Sequence, residues 1–422
     1  MASSIRFVHC ADLHLDTPFR GLSHVNDDVA RTLNEATFRA WDNIVELAIR
    51  EQVDFVVVAG DVYDSRDKSL RAQLRFRDGL ARLADNRIPS FVAFGNHDPV
   101  DGWSNTLEWP QETHFFGTRE VDSCEVHRDG TVAATVHGIS FAKEDIKDDL
   151  AARFAAPEKV IPSIAVLHCN VGSNTGHEPY APTTIEELSS KGFTYWALGH
   201  VHTHHTLRTD GPAIVYPGCS QSRHPNETGA KGCCIVTLHN SQPPDIRFVA
   251  TDTVRYFRGE VDVTQCSSID AIRQEITTAC TSAAEQAEGR YLVARLSLTG
   301  HTPLQRELAR GNAITELAES IRTDLFAREQ WVWLERLSLM TRAPYDIEQL
   351  RTQQDFAGDI VRAYTSLLEA DPQEMKRLKE ELERDVTQSM LSRLVERVTE
   401  EEFRQLIEKA MHQTLDLVLE ED

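Results

Sequence analysis

The chain has 422 residues, a net charge of −22 and an apolar fraction of 41%. This length exceeds that of one typical domain, so we expect two or three. No apolar run is long enough to span a bilayer, and the first ten residues lack the basic and apolar segments of a secretory signal. The composition excludes a membrane-spanning protein and predicts a cytoplasmic one. Because a protein that grips nucleic acid alone usually carries a basic face, a chain this acidic would need a second subunit for such a grip.

Residues 1–253 alternate strand-like and helix-like patterns. The apolar runs at 5–9, 54–59 and 89–94 predict strands, and apolar residues at helical spacing predict a helix over 36–49. Further strands are expected at 131–139, 164–168, 195–198, 213–216 and 232–238. Strands that alternate with helices indicate an α/β layered domain.

Residues 254–342 predict a small α+β module. The expected order is a strand at 254–263, a helix at 268–287, a strand at 290–298, a helix at 303–318 and a strand at 330–339. This module contains none of the polar motifs described below. We expect it to cap or shape access to the first domain.

Residues 343–422 predict a helical tail. Asp371, Pro372 and Glu374 form a strong helix start, and an apolar stripe runs from Met375 to Val398. A second capping box at residues 399–402 precedes another apolar stripe. The two helices could pack on their own domain or dock on a partner, and the sequence leaves both readings open.

Five short segments are rich in histidine, aspartate and asparagine, and most follow a predicted strand. Any one of them alone would be an ordinary turn, because asparagine and aspartate favour turns. Five in succession are far more specific and indicate a metal centre. The segments are Asp12-Leu13-His14, Gly60-Asp61-Val62-Tyr63-Asp64, Gly95-Asn96-His97-Asp98, Leu167-His168-Cys169-Asn170 and Gly199-His200-Val201-His202.

Together these segments supply enough ligands for two divalent ions. Two ions about 3.5–4 Å apart that share a carboxylate are the usual centre for splitting a phosphate ester. Asp61, which follows a buried strand and a glycine, is the candidate for the shared carboxylate. The seven predicted ligands are Asp12, His14, Asp61, Asn96, His168, His200 and His202.

Side chains beside the predicted ligands are expected either to support the ligands or to have no role in the metal site. We predict that Asp16 and Asp64 support the ligands through hydrogen bonds. Cys10 and Cys169 adjoin predicted ligands, but thiolates suit softer metals, so both are expected to be buried small side chains. His9 is expected to be a core or surface residue.

The ordered motifs DxH, GDxxD, GNHD, H and GHxH resemble those of the calcineurin-like metallophosphoesterase superfamily. The domain order is similar to that of the nuclease subunits of SbcCD-type complexes and their archaeal and eukaryotic double-strand-break repair relatives, above all the YhaO-type branch. This resemblance implies a metallophosphoesterase sandwich of two mixed sheets flanked by helices. The small α+β capping domain and the helical tail would follow it.

The resemblance also implies how the ligands divide between two metals that share one carboxylate. One metal would be held by Asp12, His14, Asp61 and His202, and the other by Asp61, Asn96, His168 and His200. His97 would not be a ligand. It would contact the scissile phosphate and help the leaving oxygen depart.

The family usually works with manganese, and magnesium also suits this ligand set. The resemblance implies a 3′-to-5′ exonuclease and endonuclease that acts on DNA in repair. Its partner would be an SMC-like coiled-coil ATPase of the SbcC or YhaN type, which binds the helical tail. Whether the chain forms a homodimer stays open.

At two places the resemblance bears on residues outside the ligand set. Archaeal members carry a histidine three residues after the shared aspartate, where this chain has Asp64, so that histidine's role cannot be transferred. The loop at residues 217–224 resembles a substrate-proximal loop of the YhaO-type branch, which makes Arg223 and His224 candidate substrate-binding residues.

Three functions are weighed. The first is a metal-dependent DNA nuclease. The second is a small-molecule phosphodiesterase or phosphomonoesterase with the same core, which the acidic charge favours. The third is a scaffold whose site has decayed, and the complete ligand set argues against it.

Overall fold

The computed structural model describes residues 4–17, 26–64, 69–100, 107–158, 161–172, 180–239, 242–327, 329–387 and 400–419. Contacts between residues divide the chain into two units. The first comprises Met1–Arg258, Cys280–Arg295 and Leu325–Glu335, and the second Gly259–Ala279, Leu296–Asp324 and Arg336–Asp422. The predicted domain boundaries at residues 253 and 342 stay a prediction. Among the described helices, every one is too short or too polar to cross a membrane.

Fifteen strands are described. In chain order they are β1 (Ile5–Cys10), β2 (Phe55–Ala59), β3 (Ser90–Ala93), β4 (Thr113–Phe115), β5 (Asp122–Arg128), β6 (Thr131–Gly138), β7 (Ser163–His168), β8 (Tyr195–Gly199), β9 (His205–Arg208), β10 (Ala213–Tyr216), β11 (Gly232–His239), β12 (Gln242–Ala250), β13 (Val254–Asp262), β14 (Tyr291–Thr299) and β15 (Val332–Leu339).

Ten α-helices and a 3-10 turn at Ala151–Arg153 accompany these strands in the described ranges. The helices are α1 (Asp27–Arg50), α2 (Leu70–Asp85), α3 (Ile185–Ser190), α4 (Ile269–Gln286), α5 (Gln305–Ala309), α6 (Ala313–Phe326), α7 (Ile347–Thr352), α8 (Phe356–Leu368), α9 (Pro372–Thr387) and α10 (Glu400–Leu419).

The first unit is built on two mixed sheets of six strands. Their orders are β12-β11-β1-β2-β3-β4 and β5-β6-β7-β8-β10-β9. Strands β1, β2, β3 and β4 run parallel, whereas β11 and β12 are antiparallel to their neighbours. In the second sheet, β6, β7, β8 and β10 are parallel and the two edge strands are antiparallel. The predicted sandwich of two mixed sheets flanked by helices is confirmed.

Alternating side chains of the strands fill the layers between and outside the sheets. Phe7 and Val57 of the first sheet share a buried cluster with Val166 of the second. The residues between them face the helices, because successive side chains of a strand point to opposite faces. Trp41 of α1 and Phe76 of α2 cover the first sheet in this way.

The parallel strands bring the predicted ligands to one end of both sheets. β1, β2 and β3 are adjacent and parallel, and the first three motifs follow their carboxyl ends. β7 and β8 are also adjacent and parallel, and the last two motifs lie at their carboxyl ends. The fold therefore collects segments that are up to 190 residues apart in the sequence (residues 12 to 202).

The middle of the chain departs from prediction in one element. β13, β14 and β15 form a three-stranded sheet in that order. The single helix predicted over 303–318 is wrong, because two helices, α5 and α6, occupy this stretch. Gly311 separates them with a positive φ of 56°, a backbone conformation that no α-helix contains.

The described part of the tail is helical, as predicted. Asp371 caps α9, because its carboxylate accepts hydrogen bonds from the backbone N–H groups of Gln373 and Glu374 at 2.8 and 3.0 Å. Residues 388–399, where the first stripe should continue and the second capping box begins, lie outside the described residues. α10 packs on α8 through a buried cluster that includes Ile360, Val361, Met411 and Leu415. For α10, packing within the chain is thus the observed arrangement.

We expect Leu415→Ala to lower the free energy of unfolding by about 2–5 kcal/mol, because it leaves a cavity between α8 and α10. Leu415 is fully buried. Leu417 on the same helix is 68% exposed and serves as a matched control. Its replacement by alanine should change stability by no more than about 0.5 kcal/mol. Urea unfolding followed by circular dichroism measures both, and equal effects of the two variants would contradict the packing of α10.

Candidate metal centre

The predicted ligands converge in the interior of the first unit. Six of the seven are buried, and His202 is partly buried. One ligand atom from each of Asp12, His14 and His202 lies within 4.8 Å of the others. The same holds for a second group, Asp12, Asp61 and His168. Asp12 thus belongs to both groups.

The backbone at these ligands adopts rare conformations. φ is positive at Asp12 (50°), His14 (44°), Asp61 (52°) and His200 (106°). Residues other than glycine seldom adopt such angles, and those that do concentrate at functional sites. Four left-handed residues at one end of the sheets therefore mark this region independently of the motifs.

Two glycines allow the sheets to approach at the ligands. Gly60 has a φ of 91°, and a Cβ atom there would lie 2.3 Å from Nδ1 of His168. A Cβ atom on Gly199 would lie 1.8 Å from the carbonyl oxygen of Ala59. A larger residue at either position would have to push the second sheet away from the first.

One group of ligand atoms surrounds a gap between two imidazoles. Nε2 of His14 lies 3.3 Å from Nε2 of His202. Nδ1 of His202 donates to the carboxylate of Glu227 at 2.7 Å, and Nδ1 of His14 lies 3.1 Å from Oδ1 of Asp64. The carboxylate of Glu227 holds the ring proton of His202 on Nδ1, so the Nε2 lone pair of His202 faces the Nε2 atom of His14. A cation between them would satisfy both.

The second group has the same chemistry. Nδ1 of His168 donates to the carbonyl oxygen of Ala59 at 3.0 Å, which leaves Nε2 as an acceptor. This Nε2 lies 3.0 Å from Oδ1 of Asn96 and 3.5 Å from Oδ2 of Asp61. Three hydrogen-bond acceptors, Nε2 of His168, Oδ1 of Asn96 and Oδ2 of Asp61, therefore converge, and none of these atoms carries a proton to donate to the others. The donor set therefore fits a divalent cation.

Asp61 lies between the two groups. Its Oδ2 atom is 3.7 Å from Nε2 of His14 and 3.5 Å from Nε2 of His168. Its other oxygen accepts a hydrogen bond of 3.0 Å from the backbone N–H of His97. This position between both imidazoles is the one required of a shared carboxylate.

Burial sets the charge of these groups. Burial and the neighbouring carboxylate of Asp61 raise the pKa of Asp12. Burial opposes ionisation of Asp61 as well, yet the neighbouring imidazoles of His168 and His97 hold its pKa below the usual value. Burial lowers the pKa of His14 and His168, which keeps both imidazoles neutral and able to bind a metal. A cation would relieve the repulsion between the two carboxylates.

His200 has a different position from the other imidazoles. Its backbone N–H donates to both carboxylate oxygens of Asp12 at 3.1 Å. Its ring lies edge-on to that of His168, with centroids 5.4 Å apart, and to that of Tyr180 at 5.7 Å. The role of this imidazole as a ligand stays a prediction.

His97 is the exposed histidine of the site. Its side chain is 43% exposed, and Nδ1 lies 3.3 Å from the carbonyl oxygen of Asp64. Its ring is edge-on to that of His14 at 5.1 Å. Since the carbonyl can only accept, Nδ1 carries a proton and Nε2 is left for another partner. This arrangement suits contact with a substrate better than the interior of a metal site does.

The two aspartates predicted to support the ligands, Asp64 and Asp16, have different partners. Asp64 contacts His14 and forms an ion pair with Arg223. Asp16 instead accepts hydrogen bonds from Ser69 at 2.5 Å and Arg71 at 3.3 Å. Ser69 is the N-cap of α2. In the described part of the chain, the Asp16 carboxylate therefore holds the start of a helix in place and does not orient a metal ligand. This corrects its predicted supporting role.

The two candidate substrate-binding residues differ in exposure. Arg223 is mostly buried, whereas His224 is exposed and its Nδ1 accepts a hydrogen bond from the backbone N–H of Asn226 at 3.2 Å.

The cysteines beside the ligands are buried, as predicted. Burial raises the pKa of Cys10 and Cys169, which keeps both thiols protonated and poor as ligands. His9 is buried and bonded to the hydroxyl of Tyr195 at 3.0 Å.

Two carboxylates of the site escaped prediction. Glu227 bonds to His202. Burial opposes ionisation of Glu227, but the hydrogen bond and charge of His202 together with Arg223 outweigh it and lower the pKa of Glu227 to about 2. It lies in a loop 25 residues beyond His202, and no motif marks it. Asp98, the last residue of GNHD, is fully buried. It accepts backbone hydrogen bonds from Val62 and Gly95, both at 2.7 Å.

We expect Asp98→Ala to destabilise the chain by about 3 kcal/mol or more, because each buried donor left without a partner costs about 1–3 kcal/mol. The same change frees the loops that carry Asp61 and Asn96 from each other, so metal affinity should fall as well. Denaturant unfolding and calorimetric titration with Mn²⁺ measure the two effects. Unchanged stability and affinity would contradict the role of Asp98 as a tie between the loops.

Comparison with known proteins gives the family. The family model for calcineurin-like phosphoesterases matches residues 5–204, and that for the middle domain of the metallophosphoesterase YhaO matches residues 256–342. The chain is 29% identical over 220 residues to the DNA double-strand break repair protein Mre11 of Sulfurisphaera tokodaii, covering 50% of this chain and 53% of that protein. It is 25% identical over 269 residues to Mre11 of Thermoplasma acidophilum, covering 59% and 66%.

A further relative matches nearly from end to end. The chain is 31% identical over 410 residues to the uncharacterized metallophosphoesterase YhaO of Bacillus subtilis, covering 97% of each chain. Calcineurin-like phosphoesterases use a dinuclear centre of divalent metals, which agrees with the two groups of acceptors described above. The chain belongs to the YhaO family of calcineurin-like metallophosphoesterases and is a phosphoesterase hydrolase.

Proposed function

We propose that this chain is a metal-dependent nuclease that hydrolyses phosphodiester bonds of DNA in repair. The observation that carries the proposal is the pairing of two buried groups of acceptors with one exposed imidazole, His97. The similarity to Mre11 proteins over 50–59% of the chain supports DNA as the substrate class. We propose manganese as the physiological metal, since imidazole, carboxylate and amide oxygen suit it, and magnesium is the alternative.

The chain's own residues would divide the work as follows. Asp12, His14 and His202 would hold one ion, His168, Asn96 and His200 the other, with Asp61 shared between them. When bound, such ions neutralise charge on a phosphate and lower the pKa of a water molecule. With a proton on each ring nitrogen, His97 would donate its Nε2 proton to the leaving oxygen, while Nδ1 stays bonded to the carbonyl of Asp64 and keeps the ring oriented.

A small-molecule phosphoesterase is the second candidate. The net charge of −22 favours it, because DNA binding usually draws on a basic surface. The YhaO-type middle domain and the helical tail favour the nuclease, since hydrolysis of a small ester needs neither. The two candidates predict different substrates and can be separated directly.

The partner belongs to the proposal as well. We propose that an SMC-like coiled-coil ATPase supplies part of the DNA grip and docks on the helical tail. Leu406 and Leu417 of α10 are exposed apolar side chains on that tail. Replacing both with aspartate should abolish co-purification with the ATPase and leave hydrolysis of a small ester intact. Undiminished co-purification would exclude this face of α10 as the docking site.

The proposal is tested with purified full-length chain and a 3′-labelled DNA duplex in Mn²⁺, with and without the ATPase. We expect label to be released as mononucleotides, and release should stop with a chelator. The same preparation is offered a chromogenic phosphomonoester in parallel. Efficient cleavage of the monoester with intact DNA in both conditions would overturn the nuclease in favour of the second candidate.

A further inference from the structure

A ring of contacts among five residues, four side-chain links and one backbone link, surrounds one of the two groups of metal ligands. Its members follow one another as His14, Asp64, Arg223, Glu227 and His202, and the ring closes between the Nε2 atoms of the two histidines at 3.3 Å. All five residues belong to the first unit. No motif in the sequence predicts the ring, because its members come from four separate loops.

Arg223 connects the two carboxylates of the ring in different ways. Its guanidinium group pairs with Oδ1 of Asp64. Its backbone N–H donates to Oε2 of Glu227 at 2.7 Å. The other oxygen of Glu227 accepts from Nδ1 of His202, while Oδ1 of Asp64 lies 3.1 Å from Nδ1 of His14. One residue thus holds both carboxylates against the two imidazoles.

The loop around Glu227 is itself fixed. The Ser222 hydroxyl donates to the backbone carbonyl of Glu227 at 2.6 Å, and the backbone N–H of Glu227 donates to the carbonyl of His224 at 2.9 Å. The Arg223 side chain is 14% exposed. The guanidinium is mostly buried and pairs with the carboxylate of Asp64, so its charge is matched within the protein and less of it is left for a substrate phosphate.

We propose that Arg223 is a positioning residue for one metal ion: through Asp64 and Glu227 it orients His14 and His202, and it does not serve chiefly to bind substrate. The carboxylates that hold a histidine on its outer nitrogen fix the direction of the lone pair that faces the metal. The proposal rests on the two-metal site of the proposed function but not on DNA as the substrate.

The effect is expected to be confined to one of the two ions. Nδ1 of His168 is held by the carbonyl oxygen of Ala59, and no member of the ring takes part in that bond. Asn96 faces His168 at 3.0 Å. The group of ligands around His168 therefore keeps its orientation when Arg223 is replaced.

The test is a titration of the metal-free, full-length chain with Mn²⁺, followed by calorimetry and by electron paramagnetic resonance. We expect the unmodified chain to bind two ions. Arg223→Gln removes the guanidinium from Asp64 and keeps the backbone N–H that bonds to Glu227, so it tests the arm that reaches His14. It should bind one ion as before and the other about 10–100-fold more weakly, the usual effect of losing a group that orients a ligand. Arg128→Gln is the control, because Arg128 pairs with Asp54 and lies in none of the ligand groups. It should bind both ions normally.

Glu227→Gln provides a second variant that alters the ring at one link and keeps the shape of the side chain. It should weaken the same single ion, and it decides the question if Arg223→Gln fails to fold. If Arg223→Gln and Glu227→Gln bind both ions normally, the proposal is wrong. If they do so yet hydrolyse a phosphodiester poorly, Arg223 contacts substrate instead. If the unmodified chain binds two ions but does not cleave DNA, the proposed nuclease function is wrong, whereas the proposed role of Arg223 is unaffected.

Discussion

Asp61→Ala should abolish binding of both metal ions and with it nearly all hydrolysis of phosphate esters. Oδ2 of Asp61 lies 3.7 Å from Nε2 of His14 and 3.5 Å from Nε2 of His168, so one substitution removes the carboxylate that lies between both imidazoles. The buried carboxylate of Asp12 would lose its cationic neighbours at the same time. Calorimetric titration with Mn²⁺ and the metal content of the purified variant measure the loss.

Asp54→Ala is the matched control for this experiment. Asp54 is a largely buried aspartate that pairs with Arg128 and belongs to neither ligand group. We expect this variant to bind two ions. If Asp61→Ala also binds two ions tightly, the shared carboxylate has been assigned to the wrong residue.

His97→Ala should retain both ions and lower turnover by about 10²–10⁴-fold, the range for loss of a general acid. The ring is 43% exposed, and the structure ties His97 to the ligands through its backbone N–H, which donates to Asp61 and survives the substitution. The substitution at His97 is therefore expected to lower turnover without changing the number of bound metal ions. Steady-state hydrolysis of a phosphodiester and Mn²⁺ titration on one preparation measure both.

The control here is His127→Ala, a change at an exposed histidine of edge strand β5. It should alter neither quantity. Loss of one ion in His97→Ala would instead make His97 a ligand. Unchanged turnover would remove it from the chemistry altogether.

The sequence was informative where ligands follow strands. Asp12, Asp61 and His168 each lie at or just beyond the end of an apolar run, and parallel strands place such ends together. The order of the motifs therefore predicted both the fold class and the residues that meet. Residue types with the right donor atoms then limited the chemistry to a hard or intermediate divalent cation.

Other features depend on contacts that no local pattern carries. Glu227 reaches His202 from a separate loop, and only the folded chain reveals the pairing. Asp16 resembles a site residue by its position after the DxH motif, yet its left-handed backbone and the N-cap of α2 direct it to Ser69. The break between α5 and α6 arises at Gly311, where apolar spacing alone continued the helix.

The most direct test of the account is to titrate the metal-free chain with Mn²⁺ while following cleavage of a labelled DNA duplex. We predict no cleavage without metal, little with one equivalent, and a steep rise as the second site fills. We predict the same dependence for a chromogenic phosphodiester, whose hydrolysis reports on the metal site without requiring DNA binding. Cleavage of both substrates in excess chelator, or full activity at one equivalent, would contradict a two-metal phosphodiesterase.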